Sequence, residues 1–207
     1  MITIETSRAG VPILKVEGRA LASTFDPLKE AASWAQSVEA TLAPGTAAVI
    51  LGAGCGYHVA ALKLLCPRSL VVALEPSREV ADRALEFNPS LKDEDVVVET
   101  DLLRLTEQPR VRDALGGVFV PVRHGPSAHV SPQWTESMAA FLAARDKLSF
   151  LLQLRMRPDL FALLDPAKIE ALGNEAISIK TLQKLFKDTS AASHERRLWR
   201  VLEELVL

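Results

Sequence analysis

Ala47-Ala48-Val49-Ile50-Leu51-Gly52-Ala53-Gly54-Cys55-Gly56-Tyr57-His58 is the stretch on which the fold turns. The apolar run from Ala47 to Leu51 follows the Pro44-Gly45 break and reads as a strand buried on both faces. From Gly56 the apolar residues Val59, Leu62 and Leu65 recur at helical spacing, and Pro67 stops them. Between strand and helix, Gly52, Gly54 and Gly56 permit a tight turn, allow a ligand to approach the backbone, and leave helix N–H groups facing an anion or carboxylate.

The pattern repeats outward. Leu70 to Leu74 is a second buried strand ending at Glu75, followed by a helix from Ser77 to Phe87 and a turn at Asn88-Pro89. Val96 to Val98 predicts a third strand, and Gly117 to Val122 a fourth that ends before Arg123-His124-Gly125. Strands alternating with helices predict an α/β domain with a parallel sheet and right-handed crossovers. Upstream, Ile2 to Glu5 and Val11 to Val16 flank Ser7-Arg8-Ala9-Gly10 as a hairpin. Asp26 and Pro27 then open a helix carrying Leu28, Ala31, Ala32, Ala35 and Val38. Downstream, Trp134 to Leu154 reads as one or two helices, and Ile177 to Phe186 and His194 to Leu207 as amphipathic ones. The expected organisation is a hairpin and helix over 1–43, a cofactor-binding domain over 44–150 and a helical C-terminal appendage over 151–207.

Composition narrows the function. The 207 residues carry 26 acidic and 24 basic side chains, a formal net charge of −2, so no overall field draws in a polyanion and general nucleic-acid binding is not expected. Cys55 and Cys66 lack a paired CxxC or a histidine cluster, which excludes a disulfide framework and a structural zinc site. Met1-Ile2-Thr3-Ile4-Glu5 has no basic start leading into an apolar stretch, and no apolar window is long enough to span a membrane. A cytoplasmic, soluble protein is expected. The apolar stripes of the C-terminal helices suit docking on the domain or on a second copy, a route to a homo-oligomer.

Glu75 lies 23 residues beyond Gly52 at the end of the next strand, where a carboxylate accepts hydrogen bonds from the ribose hydroxyls of a nucleoside. Asp101 follows the third strand and suits either a base's exocyclic amine or the N-cap of the helix starting at Leu102. Tyr57 and His58 open the helix beside the glycine loop, to contact the ligand or to pack on the hairpin. His124, at the sheet's carboxyl edge, is a candidate general base or phosphate contact, or else steadies the Gly125-Pro126 turn; His129 is a weaker version of the same case. Asp26 and Glu30 stand four apart on one helix, a spacing that can hold Mg²⁺ with a nucleotide's phosphates and equally suits a cap with a first-turn acid.

The G-x-G-x-G spacing resembles the first motif of class I S-adenosylmethionine methyltransferases, whose usual acid two residues before the first glycine is here Ile50. Three segments read together resemble the motility accessory factor family, which shares its central domain with archaeal 6-hydroxymethylpterin diphosphokinases. They are Ser23-Thr24-Phe25-Asp26-Pro27-Leu28-Lys29-Glu30-Ala31, Leu51-Gly52-Ala53-Gly54-Cys55-Gly56-Tyr57-His58, and Leu74-Glu75-Pro76-Ser77. The resemblance spans about residues 1–150. It implies a Rossmann-like, methyltransferase-like domain binding a nucleotide or nucleotide-sugar donor, with glycosyl or diphosphate transfer as the chemistry. Two alternatives stand beside it: an S-adenosylmethionine-dependent methyltransferase, and a non-catalytic Rossmann-like interaction module that uses its helical tail to bind a partner.

Overall fold

A computed structural model describes residues 1–144, 146–173, 177, 178, 181, 184 and 185. These fall into two compact units, Met1–Leu142 and Ala143–Leu207, so the hairpin and first helix belong to the same unit as the sheet.

The first unit begins with an antiparallel sheet of β1 (Ile2–Thr6), β2 (Pro12–Val16) and β3 (Arg19–Ala20). β3 escapes a sequence reading because it is two residues long. Its signal is the Glu17-Gly18 turn, where both residues take positive φ and reverse the chain between Val16 and Arg19. Helix α1 (Pro27–Glu39) starts where expected, its N-cap Asp26 accepting the Lys29 N–H.

The second sheet comprises β4 (Ala47–Leu51), β5 (Val71–Glu75), β6 (Val96–Val98) and β7 (Phe119–Arg123), all parallel, in the order β6-β5-β4-β7. Its crossovers are α2 (Tyr57–Leu65), α3 (Arg78–Phe87), and the short pair α4 (Leu102–Glu107) and α5 (Pro109–Leu115), which Gln108-Pro109 divides. β7 begins and ends later than the expected 117–122, because its pairing with β4 matches Phe119 to Ala47 and Arg123 to Leu51. Beyond it come α6 (Gly125–Val130) and α7 (Pro132–Leu142).

The apolar runs of β4 and β5 are buried from both sides, as their composition requires. Ala48, Ile50, Val71, Ala73 and Val96 pack on Ala35 and Val38 of α1, Val59 and Leu62 of α2, and Ala81 and Ala84 of α3. The opposite face presents Val49, Leu51, Val72 and Leu74 toward α5 and α7. A further cluster seats the N-terminal sheet through Ile13, Leu14 and Leu21 against Cys55, Tyr57 and Val80. The fold is Rossmann-like: a parallel sheet flanked by helices, with an antiparallel sheet at the N-terminus.

In the second unit, α8 (Lys147–Arg155), α9 (Pro158–Leu163) and α10 (Pro166–Glu170) gather around Phe150, Leu154, Leu164, Ile169 and Leu185. The Trp134–Leu154 stretch is thus two helices, α7 and α8. Most of Ile177–Phe186 and all of His194–Leu207 lie outside the described residues. Among the described residues no helix is long and apolar enough to cross a membrane.

Candidate functional site

Strands β4, β5 and β6 run outward in one direction, and β7 then returns to the other side of β4. The strand order therefore reverses between β4 and β7, the place where open α/β sheets form a crevice at their carboxyl ends. The Gly52–Gly56 loop leaves β4 there, and His124 follows β7, its N–H donating to the Leu51 carbonyl at 3.0 Å.

His124 is the N-cap residue of α6, and its Nδ1 lies 2.7 Å from the Ser127 hydroxyl. Its ring stacks on His58, with centroids 3.7 Å apart and planes 7° apart. Trp34 of α1 meets His58 edge-on at 5.0 Å. His58 Nε2 is 3.1 Å from the Gly52 carbonyl. A carbonyl only accepts, so Nε2 carries the proton and Nδ1 keeps a lone pair. Burial lowers His58 to about 4. Burial, with the neighbouring His58 adding to it, holds His124 well below the ordinary histidine value. Both rings are neutral at pH 7.

Glu75 is 4% exposed, and its carboxylate turns back onto the loop rather than outward. Oε2 accepts the Ala53 N–H at 2.9 Å and Oε1 the Ser77 N–H at 3.1 Å. Burial pushes this carboxyl up to about 7, against the opposing effect of the amide bonds. The Gly54 amide also bonds this carboxyl, so about one of its four acceptor sites is left for a further donor.

The glycines are crowded by the protein itself. A Cβ on Gly54, whose φ is +50°, would lie 2.7 Å from His124 Cε1 and 3.2 Å from the Leu21 carbonyl. One on Gly52 would overlap the Ser127 side chain, and one on Gly56 would meet Asn88 and the Ala84 carbonyl. Two small clefts open along the crevice. The first, about 70 Å³, is lined by Glu30, Trp34, Cys55, His58 and His124 among others. The second, about 60 Å³, holds Glu75, Ser77, Ser127, Ser131 and Trp134, whose buried indole N–H has no partner among the described residues. Neither approaches the roughly 300–1,000 Å³ of a pocket for a drug-sized ligand. Among the described residues, neither cleft is lined by a lysine or arginine.

Gly52, Gly54, Gly56, Tyr57, His58, Glu75 and His124 thus meet at one edge of the sheet, although the Tyr57 hydroxyl and the other candidates are engaged by the protein itself. Tyr57 donates its hydroxyl to the Pro12 carbonyl at 2.6 Å, packing on the hairpin. Asp101 is exposed and caps α4 through the Arg104 N–H. Asp26 caps α1 and lines neither cleft, whereas Glu30 lines the first and accepts the Ser23 N–H at 2.7 Å. The two carboxylates therefore do not face one ligand together, and no cluster of three or more metal-ligating side chains forms among the described residues. His129 contributes its carbonyl, which accepts from Arg19. Leu21, Trp34, Ser127 and Trp134 are residues the sequence did not single out. Ser127 alone had a local signal, three residues beyond His124 in the first turn of a Gly-Pro-led helix.

No family model, no curated protein and no solved structure matches this chain.

Proposed function

We propose that the chain is a nucleotide-binding, transferase-like protein of the motility accessory factor type, taking a nucleotide or nucleotide-sugar donor at the carboxyl edge of its parallel sheet. The observation that carries this reading is convergence: the glycine loop, the Glu75 carboxyl and the His124 imidazole arrive at one switch point from three separate strands. In this reading Glu75 accepts from the donor's ribose. His124, fixed through Nδ1 by Ser127, turns its other nitrogen to the reacting group as a base or hydrogen-bond partner.

The charge of the lining refines the expectation. With Glu30 and Glu75 present and no lysine or arginine in either described lining, a diphosphate would enter as its Mg²⁺ complex, with Glu30 as the carboxylate able to reach the ion. The same charge balance favours a second reading, S-adenosylmethionine, whose sulfonium and ammonium groups suit an acidic lining. Against it stand Ile50 in place of the usual acid and a described sheet of four strands.

Calorimetric titration of the full chain with nucleoside diphosphates and nucleotide sugars, each with Mg²⁺ and with EDTA, tests the proposal. Binding that needs Mg²⁺ and weakens at least tenfold in Glu75→Ala supports it. Metal-independent binding of S-adenosylmethionine, uncontested by nucleotides, moves the assignment to the second reading. Binding of neither class leaves an interaction module whose glycines only pack a helix against a strand.

A further inference from the structure

We infer that Leu21 is a gate, dividing one ligand crevice into two clefts, and that a ligand spanning both must lift the segment from Leu21 to Phe25. The inference rests on the reading that the ligand sits at the carboxyl edge of the sheet.

Leu21 lines both clefts, and its carbonyl covers Gly54, where a donor would need to approach the backbone. The segment is a short strap between two fixed points. On one side β3 ends after two paired residues, with the Leu21 N–H donating to the Leu14 carbonyl at 2.8 Å. On the other, Asp26 and Pro27 anchor it to α1. Between them the Ser23 hydroxyl accepts from the Phe25 and Asp26 N–H groups, and the Thr24 and Phe25 carbonyls accept from Arg8 and Ala9.

One strap bond also reaches the lining of a cleft. Glu30 accepts the Ser23 N–H and at the same time faces the first cleft. A ligand that recruits this carboxylate, through a cation or a donor group, withdraws it from Ser23 and loosens the strap as it binds. Affinity for a spanning ligand is then reduced by the fraction of molecules whose strap is closed, and any change that favours the open strap raises it.

The experiment combines amide hydrogen exchange with titration on the full chain, using Mg²⁺–nucleoside diphosphates and S-adenosylmethionine as probes. Whichever probe binds is expected to speed exchange at the Leu21 and Ser23 amides at least tenfold. Leu21→Ala, which joins the clefts, is expected to bind it about tenfold more tightly. Leu21 belongs to a packed cluster, so Ser23→Ala, which loosens the strap from outside both linings, serves as the second variant and is expected to gain severalfold. A probe that binds with strap exchange unchanged, and with equal affinity in both variants, overturns the gate and leaves the donor reading standing. A probe that binds Leu21→Ala but not the wild type supports the gate. If no probe binds any form even where Ser23→Ala has opened the strap, the donor reading falls and the gate with it.

Discussion

The rings of His58 and His124 lie parallel, 3.7 Å between centroids, so each imidazole is the other's nearest aromatic neighbour at the carboxyl edge of the sheet. Protonating both would place two like charges face to face in a buried site, so the pair and the buried Glu75 make opposing contributions to how stability depends on pH between 5 and 6.5.

The two histidines have folded values below the ordinary 6.5, so their contribution is present above that pH and is lost as acid charges the unfolded chain. Glu75 has a folded value raised from 4.5 to about 7, so its contribution is present below 4.5 and is lost as pH rises through 7. Near pH 5.5 acid therefore protonates histidines of the unfolded chain that burial keeps neutral in the folded one, while the folded chain holds a proton on Glu75 that the unfolded chain lacks. The two effects oppose each other, and each proton of difference is worth about 1.4 kcal/mol per pH unit. Glu75→Gln removes the opposing group and is expected to steepen the loss of stability on acidification by roughly that amount. Urea denaturation between pH 6.5 and 5 reads both slopes; equal slopes in the two proteins would contradict the assignment of a raised value to Glu75.

Gly54 and Gly45 share a positive φ but differ in surroundings. Gly45 has nothing within 4 Å of an added Cβ, whereas at Gly54 that atom would press on His124 and on the Leu21 carbonyl. Gly45→Ala is expected to lose about 1 kcal/mol, the backbone strain alone. Gly54→Ala adds overpacking to the strain and is expected to lose about 2–4 kcal/mol. Equal losses in denaturant titrations would mean that the loop relaxes freely around Gly54 and is not held by His124 and Leu21. Lost binding in a bulky Gly54 variant would therefore include lost fold.

Much of this arrangement was legible because the buried strands announce themselves. Ala47–Leu51 and Val71–Glu75 are apolar runs of the right length, and their ends fix Gly52 and Glu75 at one edge. What could not be read is direction. Nothing in the sequence says that the Glu75 carboxylate folds back onto the Ala53 and Ser77 amides. Nor does any local pattern bring Leu21, Trp34 and Trp134 to that edge, since each arrives on a separate element through tertiary packing. Asp101 and Asp26 fit two roles by pattern alone, and their hydrogen bonds to Arg104 and Lys29 show both acting as caps.

Tyr57 links the crossover helix to the N-terminal sheet through its 2.6 Å bond to the Pro12 carbonyl, and its ring stacks with Phe87 at 6.4 Å. Tyr57→Phe keeps the stacking and leaves that carbonyl without its donor, an expected loss of about 1 kcal/mol. The effect should be local, so hydrogen exchange is expected to quicken in β1 and β2 more than in β4 and β5. Uniform quickening across both sheets would mean that the two unfold as one cooperative unit.

Pro121 explains why the sheet can stop at β7. The Ala47 N–H donates to the Val118 carbonyl and the His124 N–H to the Leu51 carbonyl. In a parallel ladder this register turns the backbone groups of Val120 and Val122 toward β4, and those of Phe119, Pro121 and Arg123 toward the outer edge. Proline has no N–H, so the middle donor of that edge is missing and another strand cannot pair along it without a gap. Beside it, Arg123 is held by Glu136 of α7 at 2.6 Å. Pro121→Val restores the outward donor without touching the ladder to β4, so the variant is expected to fold and to self-associate with rising concentration. Val120→Pro moves the missing donor to the inner side, where it removes a bond to β4, and is expected to destabilise by about 3 kcal/mol or more. Sedimentation over a concentration series separates the two. If Pro121→Val stays monodisperse at the same mass as the wild type, the edge is protected by α7 and not by the proline.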